Sequence, residues 1–444
     1  MARRSCCSYQ WTNVSILVSS FGLHFVSLGM VTSFGVMYSE LRDQFGSGAA
    51  ETSWVASLSS GLLLVIGPAA GILEKRFGCR VVAMTGSTLI GVGMVASTFA
   101  PSLYWLFLTY GVITGVGFGM AHLVATVTVN LTFDKRRSVA IAIGSSGSGC
   151  GNIAIPWLTT VWLEEYGWRQ TFLLLAGIGI QGLVCGAIIG NVQTSGEPRG
   201  NHQNVDTIDH TPLRAAVTKV LKTKAFLIFA VSGFCTALAY FVPHVMIPEL
   251  AKNRGLSSTD VALIFTVSGV SSILGRILIG FIVDILHISR IWTLSIALFI
   301  GGISTIGCAF VYDKWLFIGY GVILGVFTGT FGFLQSVIVV DLLGTKLLGI
   351  GFGFLTLFHG IAVIIGPPIA GWISDITHDN TVSFVYAGCL FCVGSFFACA
   401  IKTQTDFSGS KSDGQTEIKA SSYQDNVPGD RCHTNISYEC DTKL

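Results

Sequence analysis

The chain has 444 residues, of which 51% are hydrophobic and only 11% charged, with a mean hydropathy of +0.68. Soluble proteins carry about 25% charged residues, so this composition excludes an ordinary soluble domain and implies a protein that crosses the membrane many times. The net charge of +2 carries no message by itself, and no basic stripe outside short loops suggests a nucleic acid as partner.

Twelve stretches are long and apolar enough to span a bilayer as helices. In chain order they are 12–38, 53–73, 81–100, 103–131, 138–163, 171–190, 225–248, 260–283, 291–312, 315–340, 347–373 and 383–401. The first follows Arg3 and Arg4 but is too long for a signal peptide and lacks a small-residue cleavage site, so it is expected to be retained. Placing the N-terminus inside puts 20 Lys and Arg on the inner side against 5 outside, and the remaining one of 26 is Arg276. That bias predicts both termini in the cytoplasm, and a multi-pass protein of the plasma membrane is the expected setting.

The longest polar interruption, 191–224, separates six spans from six. The sequence WLFLTYGVITGVGFG at 105–119 returns as WLFIGYGVILGVFTG at 315–329, with 10 identities in 15 positions and an offset of 210. At the same offset Arg80 matches Arg290 and Gly91 matches Gly301. Six is even, so both halves enter the membrane from one side, as parallel repeats about an axis along the membrane normal. This predicts an all-α membrane protein of the major facilitator fold. The expected organisation is a cytoplasmic N-terminus (1–11), a six-helix bundle (12–190), a cytoplasmic linker (191–224), a second six-helix bundle (225–401) and a disordered cytoplasmic tail (402–444). Glycines spaced by four, Gly111-Gly115-Gly119 and Gly321-Gly325-Gly329, give each repeat one helix face without side chains. Such faces let helices approach closely in lipid; a sliding surface is the alternative reading.

Within the eighth span one residue stands out. Between Asp260 and Asp284 the only charge is Arg276, some 8 residues and roughly 12 Å from the inner end of its helix. A charge at that depth is costly and marks a functional site by default, and a guanidinium presents a planar fork matched to a carboxylate. An internal ion pair, or hydrogen bonds to carbonyls of a neighbouring helix, is the competing role. The histidines His24, His122, His244 and His359 also fall in spans and titrate near neutrality. Of these, His244, His24 and His359 are the candidates for proton coupling. His244 ranks first, because Pro243 and Pro248 free backbone groups beside it. Tyr240 and Ser272 complete the expected substrate site, with Phe241 and Phe358 as further aromatic wall. In the inner loops, Lys75, Arg76, Gly78 and Arg80 in one half and Asp284 and Arg290 in the other are placed to latch neighbouring helices. No GxSxG, HExxH, Walker A or zinc-type cysteine pair is present, which argues against an enzyme and gives no cofactor or metal.

NLTFDKRRSVAIAIGSSGSGCGN (130–152), RFGCR (76–80), the stretch 240–284 around Arg276, and GPPIAGWISD (366–375) together resemble the monocarboxylate transporter family. The resemblance covers both halves without the tail and linker. It implies transport of small carboxylates such as lactate or pyruvate, in the best-known branch with a proton, and gives Arg276 the role of binding the carboxylate. It also implies, for some members, a single-span immunoglobulin-like ancillary subunit. The chain departs from the family pattern in three places. Its first span opens Ser8-Tyr9-Gln10-Trp11; Ser272 stands where proton-coupled members carry an aspartate; and Thr32 or its uncharged neighbours stand where they carry a lysine. Two transport modes are therefore expected, symport of a small monocarboxylate or pH-independent carriage of a bulkier solute such as creatine, carnitine or an aromatic amino acid. A solute sensor that does not transport is the reading from another class.

Overall fold

A computed structural model describes residues 2–47, 49–133, 136–189, 213–377 and 379–420. Every regular element among them is helical. In the first half these are α1 (Ala2–Phe45), α2 (Ala49–Val65), α3 (Gly67–Thr98), α4 (Leu103–Leu106), a π-helical stretch Phe107–Thr114, α5 (Gly115–Thr132) and α6 (Arg137–Ile189). In the second they are α7 (Leu213–Lys222), α8 (Lys224–Tyr240), α9 (Val242–Asn253), α10 (Ser258–Ile285), α11 (Arg290–Cys308), α12 (Lys314–Leu343), α13 (Leu348–Thr377) and α14 (Asn380–Ala420).

Ten of these helices, singly or joined end to end, are long and apolar enough to cross a membrane, and Trp54–Val65 is a shorter apolar helix. The twelve expected spans are recovered because two helices turn corners. α6 reverses at Gly167 (φ 74°) and α3 at Gly78 (φ 82°), a left-handed conformation that glycine adopts without Cβ strain. The second span is thus α2 plus the part of α3 before Gly78. The seventh span breaks at Phe241, between α8 and α9, where Pro243 cannot continue the hydrogen-bond ladder.

Three expectations change in detail. The linker is not irregular throughout: Leu213–Lys222 is an amphipathic helix that buries Ala216 and Val220. The stretch 191–212 lies outside the described residues. The first helix extends well beyond 12–38 at both ends. Helix α14 runs on to Ala420, where an unstructured tail was expected from Lys402; no proline occurs until Pro428. The rest of the tail is outside the described residues.

The sequence repeat is also a packing repeat. Gly111, Gly115 and Gly119 press on Leu58, Ser59 and Leu63 of α2 and on Ile66 just after it, so closely that a Cβ would collide. Gly321, Gly325 and Gly329 press in the same way on Ile264, Ser268 and Ser272 of α10. Each glycine face therefore serves contacts inside its own half, which supports close packing over sliding. Contacts between the halves run along two seams. Gly67 and Gly71 meet Gly353 and Gly349 of α13, and Ala142 and Ser138 of α6 meet Gly280 of α10. At the opposite ends of α2 and α6, Trp54 and Trp157 are 61% and 66% exposed.

Candidate functional site

A cavity with about 190 Å³ of space for water lies between the two seams. Arg276 enters it from α10, four residues from Gly280 at the seam. Its Nη1 reaches across to α6, donating to the Ser145 carbonyl oxygen at 2.6 Å and to Ser148 Oγ at 2.5 Å. Ser148 donates in turn to Ser145 O at 2.7 Å. These bonds fix the guanidinium plane. The Nε is buried without a partner, and Nη2 donates to no protein atom among the described residues. Gly332 of α12 flanks this free edge, and even a Cβ there would stay 3.7 Å from Nη2. The Nε–Nη2 edge is the geometry that a carboxylate takes bidentately. No Asp or Glu lines the cavity among the described residues, so the guanidinium has no fixed counter-charge there.

The remaining wall is largely apolar, with Tyr240, Phe241, Phe331 and Phe352 as its aromatic part and Ser60, Gln335 and Thr356 as neutral polar groups. His24, His122 and His359 also line it. The His24 and His122 rings meet edge to face at 5.2 Å, and His359 lies 5.7 Å from the Phe331 ring.

The structure thus brings Arg276, Tyr240, Phe241, His24 and His359 of the expected site together and leaves three others apart. His244, ranked first among the histidines, is outside the cavity lining. One turn past the break at Phe241, it stacks on Tyr240 (5.9 Å) and Phe265 (6.4 Å), with Nδ1 donating to Tyr240 O at 3.2 Å. The proline break does mark the cavity wall, but through Tyr240 and Phe241 before it. Ser272 is buried at the α10–α12 contact against Gly329, and Phe358 packs on the core without lining the cavity. Sequence reasoning did not single out Ser145 and Ser148, whose signal is the polar run Ser145-Ser146-Gly147-Ser148 inside an apolar span.

At the closed end, Asp284 is 4% exposed and its Oδ2 accepts from Val139 N at 2.9 Å, in the first turn of α6. A carboxylate there is favoured by the unpaired amides and the helix dipole. Arg290 lies 3.6 Å from Asp284, bonds Asp341 at 2.8 and 3.0 Å, and donates from Nε to Ser138 Oγ at 3.1 Å. These contacts tie α6, α10, α11 and α12 together. In the first half the corresponding group is Glu74, which stands at the repeat offset from Asp284 and was not among the expected latch residues. Its carboxylate abuts Gly349 at the start of α13, and Cys79 Sγ donates to it at 3.4 Å. Lys75, Arg76 and Arg80 are exposed, and Arg76 lies over the Phe77 ring at 5.3 Å. Gly78 supplies the turn. Of the expected latch residues, Asp284 and Arg290 thus bridge neighbouring helices, Glu74 makes the corresponding contact in the first half, and Lys75, Arg76 and Arg80 face solvent. The physical reason is that a helix N-terminus attracts an anion.

The family model described as Major Facilitator Superfamily matches residues 20–244 and 229–424. Monocarboxylate transporter 4 of Mus musculus is 30% identical over 381 residues, covering 84% of this chain and 80% of that protein. Monocarboxylate transporter 6 of Homo sapiens is 30% identical over 420 residues, covering 89% and 82%. Among solved structures, the transporter FucP in an outward conformation superimposes with a TM-score of 0.68 at 14% identity, over 88% of this chain and 99% of that one, a likeness of fold alone. Homology across both repeats agrees with the twelve spans and the central cavity between them: the chain belongs to the monocarboxylate transporter family of the major facilitator superfamily, a family of transporters and not of enzymes.

Proposed function

We propose that the protein carries a solute bearing one carboxylate across the plasma membrane, with Arg276 as the carboxylate receptor. The observation that carries this reading is the free Nε–Nη2 edge of a guanidinium with no acidic group beside it in the cavity among the described residues. An unpaired charge in a low-dielectric site is costly, and an anion that brings its own carboxylate offsets that cost. The halves 12–190 and 225–401, joined by the linker 191–224, rock about this site with both termini in the cytoplasm. In the present conformation the seam ends carrying Asp284 and Glu74, on the side expected to be cytoplasmic, are closed.

An apolar and aromatic wall suits a solute with an apolar body. A zwitterion such as creatine, carnitine or an aromatic amino acid needs a site for its cationic group as well. Tyr240 and Phe241 offer only ring faces for that, so a net-anionic solute fits better. The test is uptake of labelled lactate, creatine, carnitine and phenylalanine in oocytes at two external pH values, by wild type and Arg276→Gln. It is run with and without a co-expressed single-span immunoglobulin-like subunit, so that poor delivery to the surface is not read as lack of transport. Saturable lactate uptake lost in the variant is the expected result. Uptake of a larger solute, indifferent to pH, is the facilitative alternative, and binding without flux is the sensor. A variant that reaches the surface and transports normally would show Arg276 to be structural.

A further inference from the structure

The histidines of the spans differ in how their rings are tied. On α1, His24 Nδ1 donates at 2.9 Å to the carbonyl oxygen four residues back, Ser20 O, and His244 Nδ1 donates likewise to Tyr240 O at 3.2 Å. His359 on α13 does not. It is 5% exposed and lines the cavity, yet among the described residues neither ring nitrogen has a hydrogen-bond partner. Its Nε2 is sealed in the wall against Gly233 of α8, where a Cβ would collide with it. Nδ1 is not sealed in, which leaves it as the ring nitrogen open to the cavity.

A buried polar group without a partner is costly. Phenylalanine would fill the position without that cost, as Phe331 and Phe352 do on the same wall. The unpaired nitrogen is accounted for if its partner arrives with the solute. His122 Nδ1 is unpartnered too, but that ring meets His24 and Phe352, and Phe352 stands about two turns of α13 away from His359.

The place of His359 relative to Arg276 is set by α12. Gly332 flanks the free edge of Arg276, and even a Cβ there stays 3.7 Å from Nη2. The ring of the neighbouring Phe331 lies 5.7 Å from His359 and 5.7 Å from Tyr240. One solute can thus set its carboxylate on Arg276, lay an apolar body on the Phe331 and Tyr240 rings, and end at His359.

We propose that His359 is a second recognition point of the carrier, pairing with a neutral hydroxyl at the end of the solute remote from its carboxylate. A hydroxyl both donates and accepts, so it serves either tautomer of the ring. Aromatic walls favour an aromatic body, so the solute class is a hydroxyaryl monocarboxylate. Small acids such as lactate engage Arg276 alone. No proton is transferred and no covalent bond forms. The inference rests on Arg276 as the anion receptor.

The test uses the full chain in oocytes, with labelled lactate, phenylpropanoate and the para-hydroxy derivative of phenylpropanoate, all at one external pH. At low concentration the wild type should take up the para-hydroxy acid about tenfold faster than its parent, because a site built to bond a hydroxyl rejects the analogue that lacks it. His359→Phe should bring this ratio close to one by slowing the hydroxy acid alone, with uptake of the parent and of lactate retained. His359→Asn, whose amide can bond in place of Nδ1, should keep part of the preference. Variants that slow both aryl acids equally, as a purely structural role would, overturn the proposal. So does a wild-type ratio of one, or a wild type that carries lactate but neither aryl acid. If neither variant reaches the surface, inhibition of wild-type lactate uptake decides. The para-methyl acid matches the hydroxyl in size without bonding, and should inhibit far more weakly than the para-hydroxy acid; equal inhibition overturns the proposal. Where lactate uptake is lost in Arg276→Gln, each of these failures leaves the anion reading standing and only the second point falls. If Arg276→Gln transports normally, or the wild type moves none of the three acids, both fall.

Discussion

At the residue scale, the plane of Arg276 matters as much as its charge. With Nη1 held by Ser145 O and Ser148 Oγ, the opposite edge is oriented before a solute arrives. A lysine keeps the charge but offers a point instead of a fork. Arg276→Lys is therefore expected to raise the half-saturation concentration by about tenfold or more, ~1.4 kcal/mol, and saturation uptake curves measure it. A second residue-scale prediction concerns Asp260, in the first turn of α10. The Lys314 ammonium, then the Ser257 hydroxyl and amide, hold its carboxyl down to about 2. A folded-state value below the unfolded one means that the link contributes fully above the ordinary carboxylate range. It is lost as pH falls from there through about 2. In Lys314→Ala the carboxyl should titrate closer to its ordinary range, and NMR of ¹³C-labelled aspartate reads the midpoint directly. That Arg276 mattered was legible from its isolation in an apolar run; that His244 would turn away toward Phe265 was not, because a broken helix hides the direction of the side chain one turn on.

At the element scale, the glycine faces determine which helices touch. Gly325→Ala would put a Cβ against the Ser268 carbonyl and force α12 away from α10. Overpacking of this kind costs about 1–3 kcal/mol. Gly319→Ala, on the same helix, meets nothing within 4 Å and should be neutral or stabilising by up to about 1 kcal/mol. Thermal unfolding in detergent should separate the two clearly. The spacing of these glycines is plain in the sequence, and so was their close-packing role. Which helix each face meets, α2 in one half and α10 in the other, depends on tertiary partners that no local pattern names.

At the scale of the whole molecule, Glu74 and Asp284 place a carboxylate at the N-terminal ends of α13 and α6, across the two seams. Each such contact is worth roughly 0.3–2 kcal/mol, so Glu74→Gln or Asp284→Asn should shift the population toward the conformation open at that end by about twofold to thirtyfold. Trp157 is exposed in the present conformation. A cysteine placed there should react with an impermeant maleimide more slowly once either latch is neutralised, because the opposite end closes. Unchanged labelling in both variants would show that the carboxylates do not bias the equilibrium.

By itself the sequence determined the number of spans, the two related halves and the presence of one deep cation. These are properties of composition, apolar length and internal repetition, and each can be read along one strand of the chain. The family resemblance was legible for the same reason, since its motifs are contiguous. What only the tertiary structure decided is which side chains meet. Ser145 and Ser148 become partners of Arg276 because α6 and α10 cross beside the cavity. His24 meets Thr126 because α1 packs on α5. Glu74 replaces its basic neighbours at the latch because the start of α13 arrives at that point. Such contacts join residues about a hundred or more positions apart, and their energies depend on distance and direction in space, which spacing along the chain does not encode.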